Sequence, residues 1–307
     1  MWRVRKQIRC DDQVHKEFTG KNISVAILDT GIFLHPDINK RILLFHDFVN
    51  KQERPYDDSG HGTHVAGCLG GNGYLSNGRF RGVAPECVFV IGKVLDNTGS
   101  GKIEQLLEGL QWILKIEKEY RIKILNISIS FEKKISENKI KILKETIDQI
   151  ADRGILVVIA AGNKGPGVKS ISTMGMGKGV LCVGCHDIDY KKKNIINCES
   201  YSGRGPGIFS IKKPDLVAPG TNIVSLSCPL VSSKEIYYKP YTEHSGTSFS
   251  TPLVSGAAAL LIEKEPFIKK DEIIQKICYS ATDLGEPWNK QGWGMLNIRK
   301  MLDFVDE

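Results

Sequence analysis

The sequence predicts a three-layer α/β fold, a mostly parallel central sheet with helices on both faces. Apolar strand-like runs alternate with segments of helical periodicity along most of the chain. The strand runs are continuously apolar, as expected of strands covered on both sides. Several polar residues fall just where those runs stop, and in such sheets ligands bind beyond the carboxyl ends of the strands.

Residues 23–28 (Ile23 to Leu28) and 88–94 (Val88 to Val94) read as strands. Ile103, Leu106, Leu107, Leu110, Ile113 and Leu114 then recur at helical spacing. Residues 122–129 form a β-rich run, and Ile140, Leu143, Ile147 and Ile150 mark a second amphipathic helix. Gly154 follows as its C-terminal cap, with a further strand over 155–159. Residues 180–183 and 223–226 continue the series. Residues 248–262, rich in Ala and Leu, read as a buried helix with Pro252 in its first turn. No linker, low-complexity tract or internal repeat interrupts the pattern, so residues 23–307 are expected to form one domain behind a segment of residues 1–22.

Composition narrows the function. The chain has 307 residues, 41% hydrophobic and 25% charged, an ordinary globular balance that can bury a core without staples. Its 42 basic and 35 acidic residues give a net charge of +7. The basic residues are dispersed, and the runs Lys133-Lys134 and Lys191-Lys192-Lys193 read as solvated loops, so no nucleic-acid partner is expected. Met1 to Lys6 is basic but no apolar run follows, so no signal peptide is expected, and no stretch has the ~20 apolar residues of a membrane span. With eight cysteines in a chain of this size, the reading is a cytoplasmic protein with reduced thiols. Cys182 and Cys185 have CxxC spacing, but on a strand they face opposite ways and cannot easily share a metal.

Three polar sites stand out. Asp29 ends the run Val25-Ala26-Ile27-Leu28, where a carboxylate is costly unless paired. His61 lies in Ser59-Gly60-His61-Gly62-Thr63-His64, among small residues that let backbone approach. Ser248 follows Gly246-Thr247 at the start of a helix, in the positive backbone potential that suits a developing oxyanion. Each alone admits a plainer reading. Asp29 can cap a turn, His61 and His64 can be half a metal site, and Ser248 can be an N-cap.

Taken together, Ala26-Ile27-Leu28-Asp29-Thr30-Gly31, His61-Gly62-Thr63-His64-Val65-Ala66-Gly67 and Gly246-Thr247-Ser248 resemble the signatures of the subtilisin-like serine proteases. The order Asp, His, Ser is the one known for that family. Further resemblances run through Gly82-Val83-Ala84-Pro85, Leu125-Asn126-Ile127-Ser128, Ala160-Ala161-Gly162-Asn163, residues 214–220 and Gly292-Trp293-Gly294. Within the family the chain looks most similar to intracellular bacterial subtilisins. The resemblance implies a serine endopeptidase with a subtilisin-like fold, acting on protein or peptide substrates. Ser248 would be the nucleophile, His61 the general base and acid, Asp29 the group that orients His61, and Asn163 the oxyanion donor beside the Ser248 N–H.

The resemblance also implies two backbone edges for an extended substrate, Ser100-Gly101-Lys102 and Ser128-Ile129-Ser130, with Gly162 and Thr247 as further substrate-binding residues. Many relatives carry Leu-Gly-Gly after the serine of the second edge, so Ser130 and Phe131 are expected to reshape the first specificity pocket. Phe249 stands where relatives usually have an oxidisable Met. Lys164 places positive charge near the cleft and favours tolerance of acidic substrate residues. Asp37 matches a calcium ligand of many relatives, although residues 71–78 do not match the usual partner loop, and no cofactor is needed for the chemistry. Residues 1–22 are too short for a separately folded propeptide. Control by a short segment, unaided folding and prior trimming, with Lys21 or an earlier basic residue as a self-cleavage site, stay open. Oligomeric state is not legible.

Two other functions compete. A peptide-binding pseudoenzyme would not need all four catalytic groups. A nucleotide-binding module would need GxGxxG or a true P-loop, and in Gly162 to Ser170 Val168 stands where the P-loop lysine belongs.

Overall fold

A computed structural model describes residues 1–38, 40–129, 136–177, 179–188, 196–198, 200–206, 211–231, 236–237 and 239–304. The strands are β1 (Ser24–Asp29), β2 (Ile42–Asp47), β3 (Val88–Lys93), β4 (Ile122–Ile127), β5 (Leu156–Ala160), β6 (Val180–Ile188), β7 (Ile196–Cys198), β8 (Leu216–Ala218), β9 (Ile223–Leu226), β10 (Leu230–Val231), β11 (Ile236–Tyr237) and β12 (Tyr241–His244). The helices are α1 (Trp2–Gln7), α2 (Asp12–Glu17), α3 (His61–Gly70), α4 (Ile103–Ile116), α5 (Glu137–Asp152), α6 (Thr247–Lys264), α7 (Lys270–Tyr279), α8 (Trp288–Gln291) and α9 (Ile298–Leu302).

Strands β2, β3, β1, β4, β5 and β6 lie side by side in that order, all parallel. The middle of β6 pairs in parallel with β8, and its end pairs antiparallel with β7. The pleat of β1 divides the core. Val25 and Ile27 face the layer of α3 and α6, whereas Ala26 and Leu28 face the layer of α4 and α5. Every residue of β1 is buried, which is why its sequence shows no polar alternation.

The expected elements are present with shifted ends. The run at 122–129 stops as a strand at Ile127, because Ser128 and Ile129 have no neighbouring strand to pair with. The helix expected over 248–262 spans Thr247–Lys264. Gly154 follows α5 with φ +83, a conformation that suits glycine after a helix. Cys182 packs against Ala161 and Ile171, while the Cys185 sulfur lies 3.0 Å from the Tyr201 hydroxyl. Both are free buried thiols. Strand β2 escaped the sequence reading because it is an edge strand whose side chains are mostly half-buried or exposed. Residues 1–22 carry α1 and α2, and Val4, Ile8, Cys10 and Val14 of this segment join the same core as α6. Among the described residues no helix is long and apolar enough to cross a membrane.

Candidate active site

Asp29 closes β1, Asn163 follows β5, His61 opens α3 and Ser248 stands in the first turn of α6. The parallel sheet therefore delivers its strand ends, and helices that start beside them, to one edge.

The Asp29 carboxylate is fully buried. Its Oδ1 accepts from the Thr30 N–H and pairs with His61 Nδ1, each at 2.7 Å. This bond places the imidazole proton on Nδ1 and leaves Nε2 free to act as a base. Burial works against the charged imidazolium, but the charge of Asp29 and its hydrogen bond outweigh that penalty, so the His61 pKa lies above its ordinary 6.5. The Ser248 hydroxyl makes no hydrogen bond to His61 among the described residues. Such bonds are often long before substrate binds. Phe249, the next residue, holds its ring 5.3 Å from that of His61.

A second buried carboxylate, missed in the sequence reading, holds the histidine helix. Asp57 Oδ1 accepts from the Thr30 hydroxyl and from the Gly60 N–H, at 2.9 and 2.7 Å. Its Oδ2 accepts from the Thr63 N–H and hydroxyl, at 2.9 and 2.6 Å. A carboxylate at a helix N-terminus satisfies orphan donors and complements the helix dipole. The approach is close, since a Cβ on Gly62 would lie 2.3 Å from the Gly31 carbonyl oxygen. Beneath it, fully buried Lys93 donates to the carbonyls of Thr30 and Leu95 and to Asp58 Oδ1, at 2.7, 2.8 and 2.7 Å. The available signals were the acidic pair Asp57-Asp58 just before His61 and a lysine inside an apolar run.

Asn163 Oδ1 accepts from Thr247, from its N–H at 3.0 Å and its hydroxyl at 2.9 Å. The carboxamide is thereby fixed with its NH₂ available as a donor. Gly246 precedes with φ +153, and a Cβ there would come within 3.2 Å of Asn163 Nδ2. The Gly162 N–H lies 3.2 Å from the Thr247 hydroxyl. Gly162 and Thr247, both expected to bind substrate, thus also belong to the Asn163 support.

Among the described backbone hydrogen bonds, none uses Gly101, Ser128 or Ile129. Ser100 exchanges bonds with Asp96, and the Lys102 N–H caps α4 through Gln105 Oε1 at 2.9 Å, so Gly101 is the open position of its edge. Ser130 and Phe131 lie outside the described residues.

The residues around Asp37 do not fit a calcium ion. Its Oδ1 accepts from the Leu75 N–H at 3.0 Å and its Oδ2 from the Tyr241 hydroxyl at 2.7 Å. The carbonyls of Asp37 and Gly70 both accept from Arg41, at 2.6 Å. A hard cation needs six to eight oxygen donors, roughly, converging without such competitors. Among the described residues no group of three or more His, Cys, Asp or Glu is arranged to hold a metal.

Residues 20–294 match the model of the subtilase family. The chain is 36% identical over 297 residues to serine protease AprX of Bacillus subtilis, an alignment covering 92% of this chain and 67% of that one. It is 34% identical to the major intracellular serine protease of the same organism, over 86% of this chain and 76% of the relative. Subtilisin Savinase of Lederbergia lenta is also 34% identical, with 92% and 91% covered. Among solved structures, S41 psychrophilic protease superposes with a TM-score of 0.79 at 25% identity, covering 96% of this chain and 97% of that one.

Proposed function

Because this chain belongs to the subtilase family, and is a serine endopeptidase acting on protein or peptide substrates, we propose that Asp29, His61, Ser248 and Asn163 carry its chemistry. Ser248 Oγ attacks the scissile carbonyl. His61 Nε2 takes the hydroxyl proton and returns it to the leaving amine. Asp29 keeps the other ring proton on Nδ1 and stabilises the imidazolium. The Asn163 amide and the Ser248 N–H receive the oxyanion, which forms at the N-terminus of α6. The observation that supports this best is the 2.7 Å bond from His61 Nδ1 to a fully buried carboxylate.

The substrate chain adds as a strand against Gly101 on one side and Ser128-Ile129 on the other, whose backbone groups enter no hydrogen bond among the described residues. A cytoplasmic location is supported by the relative named an intracellular protease and by the seven described cysteines, all buried free thiols.

A fluorophosphonate probe tests the assignment. It should label one serine in the wild type and none in Ser248→Ala, with peptide turnover lower by several orders of magnitude. Labelling that persists in Ser248→Ala would overturn it.

A further inference from the structure

Beside Asn163 lies a cavity of about 160 Å³ lined in part by Lys164, Lys169, Ser170 and Ser172, with Ile171 and Met174 on its apolar side. Neither ammonium has an ion-pair partner among the described residues, and no carboxylate is among the described lining groups. The cavity shares Gly162, Asn163 and Lys164 with the oxyanion donor. A carbonyl oxygen held by Asn163 fixes the carbonyl carbon, and the side chain of that residue branches one atom away. This cavity is the space that borders it. The inference rests on the proposed role of Asn163 and adds the substrate class. We propose that the cavity takes an Asp or Glu side chain, so that the enzyme cleaves after acidic residues, with Lys164 and Lys169 as the specificity-determining pair. The hydroxyls of Ser170 and Ser172 already donate to the carbonyls of Gly167 and Ala160, at 2.6 and 2.8 Å, so the two ammoniums carry the recognition. An apolar side chain would meet Ile171 and Met174 but leave the ammoniums without a counter-charge.

Solvent-facing pairs are individually weak, so two lysines favour a carboxylate over its neutral isostere by roughly five- to thirty-fold. The test compares peptide substrates that differ only in Glu, Gln or Phe before the scissile bond. It uses the wild type and the double variant Lys164→Gln/Lys169→Gln. The Glu to Gln ratio of kcat/KM should lie in that range at low salt. It should fall toward one in the double variant and in about 1 M salt. A wild-type ratio at or below one, or a ratio unmoved by the double substitution, would overturn the acidic preference alone. Absence of fluorophosphonate labelling at Ser248 in the same wild-type sample would instead remove the catalytic assignment beneath it.

A separate observation concerns the Asp37 region. Arg41 donates through Nη2 to the carbonyls of Asp37 and Gly70, both at 2.6 Å, and through Nη1 to that of Cys87 at 2.9 Å. Its guanidinium carbon also sits 5.6 Å from the centre of the Phe89 ring. One side chain thus ties the turn at residues 35–38 to the end of α3 and the approach to β3. We infer that Arg41 is a built-in cation that makes this region independent of calcium. Melting curves with chelator and with millimolar calcium test it. The wild-type midpoint should agree within ~1 °C, and Arg41→Met should melt about 5 °C lower or more. A calcium-dependent rise in the wild type that disappears in Asp37→Asn would overturn it. So would an Arg41→Met variant that melts with the wild type.

Discussion

Thr247 holds the Asn163 carboxamide by two hydrogen bonds to one oxygen, from its N–H at 3.0 Å and its hydroxyl at 2.9 Å. On the proposed roles, the residue before the nucleophile therefore orients the group that receives the oxyanion. Asn163→Ala should lower kcat by about 10²- to 10³-fold, the cost already known for this donor in a subtilisin. Thr247→Val keeps the shape and the N–H bond but removes the hydroxyl, and should lower kcat roughly ten-fold with KM little changed. The two effects should not add. A Thr247→Val penalty of the same size in the Asn163→Ala background would show that Thr247 acts by another route.

The pH dependence follows from the Asp29–His61 pair. Asp29 holds the His61 pKa above 6.5 against the opposing effect of burial. The base must be neutral, so kcat/KM should rise with pH through a titration above 6.5. Asp29→Asn should cost about 10⁴ in kcat, and its residual activity should titrate at lower pH than the wild type. The stability contribution has the opposite trend. With a raised folded-state pKa, the pair stabilises fully below the unfolded value and loses that contribution as pH rises through the folded one. A pH-rate profile of both proteins decides the point. An unmoved acid limb in Asp29→Asn would contradict it.

What the sequence made legible here was the set of polar residues that the fold brings together at strand ends. Asp29, His61, Asn163 and Ser248 each follow a recognisable change, from apolar run to polar residue or from small residues to helix. Lys93 was not legible, because its role depends on contacts across the sheet; Asp57 was missed although its bonds to Gly60 and Thr63 are local, because only its further bond to Thr30 ties it to the end of β1. Lys93 sits opposite Asp29 in the β1–β3 register, and its ammonium finds acceptors only once Thr30, Leu95 and Asp58 converge. A lysine in an apolar run signals a conflict, but not where the partner comes from. Strand ends were misjudged for a related reason. At Ser128 and Ile129 the residues stay buried while the ladder stops, and burial alone produces the apolar pattern. The role of Lys169 beside the cavity required the loop from Gly162 to Ser172 to be seen folded.

Lys93 gives a stability prediction. Its ammonium is fully buried and satisfied by two carbonyls and Asp58. Lys93→Met would leave those acceptors without a donor, and removing one partner of a buried charged group typically costs about 3–5 kcal/mol. Denaturant unfolding should show that loss. A change under ~1 kcal/mol would mean that the acceptors find water without cost.

Acid should destabilise the fold through His15. Its Nε2 donates to the Val83 carbonyl at 2.9 Å, and its Nδ1 faces the Arg5 guanidinium at 3.3 Å. Burial above all, with the neighbouring arginines, pushes its pKa down to about 4. Because the folded-state value is depressed, the neutral ring's contribution is complete above the unfolded value near 6.5. It is lost as pH falls toward 4. A fall from 6.5 to about 4 corresponds to roughly 3 kcal/mol. His15→Gln should unfold with a shallower dependence on pH across that window. An identical dependence would assign the acid sensitivity to other groups.

Resistance to oxidation is the last expectation. Phe249 is buried among the rings of His61, His64 and His244, with centroids 5.3, 4.5 and 5.8 Å away. It presents no sulfur where a thioether would lie beside the His61 imidazole. One sulfur near the start of α3 belongs to Cys228, which a Cβ on Gly60 would meet at 2.9 Å. Burial first, then the nearby Asp57 charge, pushes the Cys228 pKa up to about 11. It therefore stays a thiol at neutral pH, and peroxide attacks thiolates. Mild peroxide should inactivate the wild type more slowly than Phe249→Met, in which a Met side chain adjoins Ser248. Equal inactivation rates would show that another group sets the sensitivity, and Cys228→Ser would then identify whether it is that thiol.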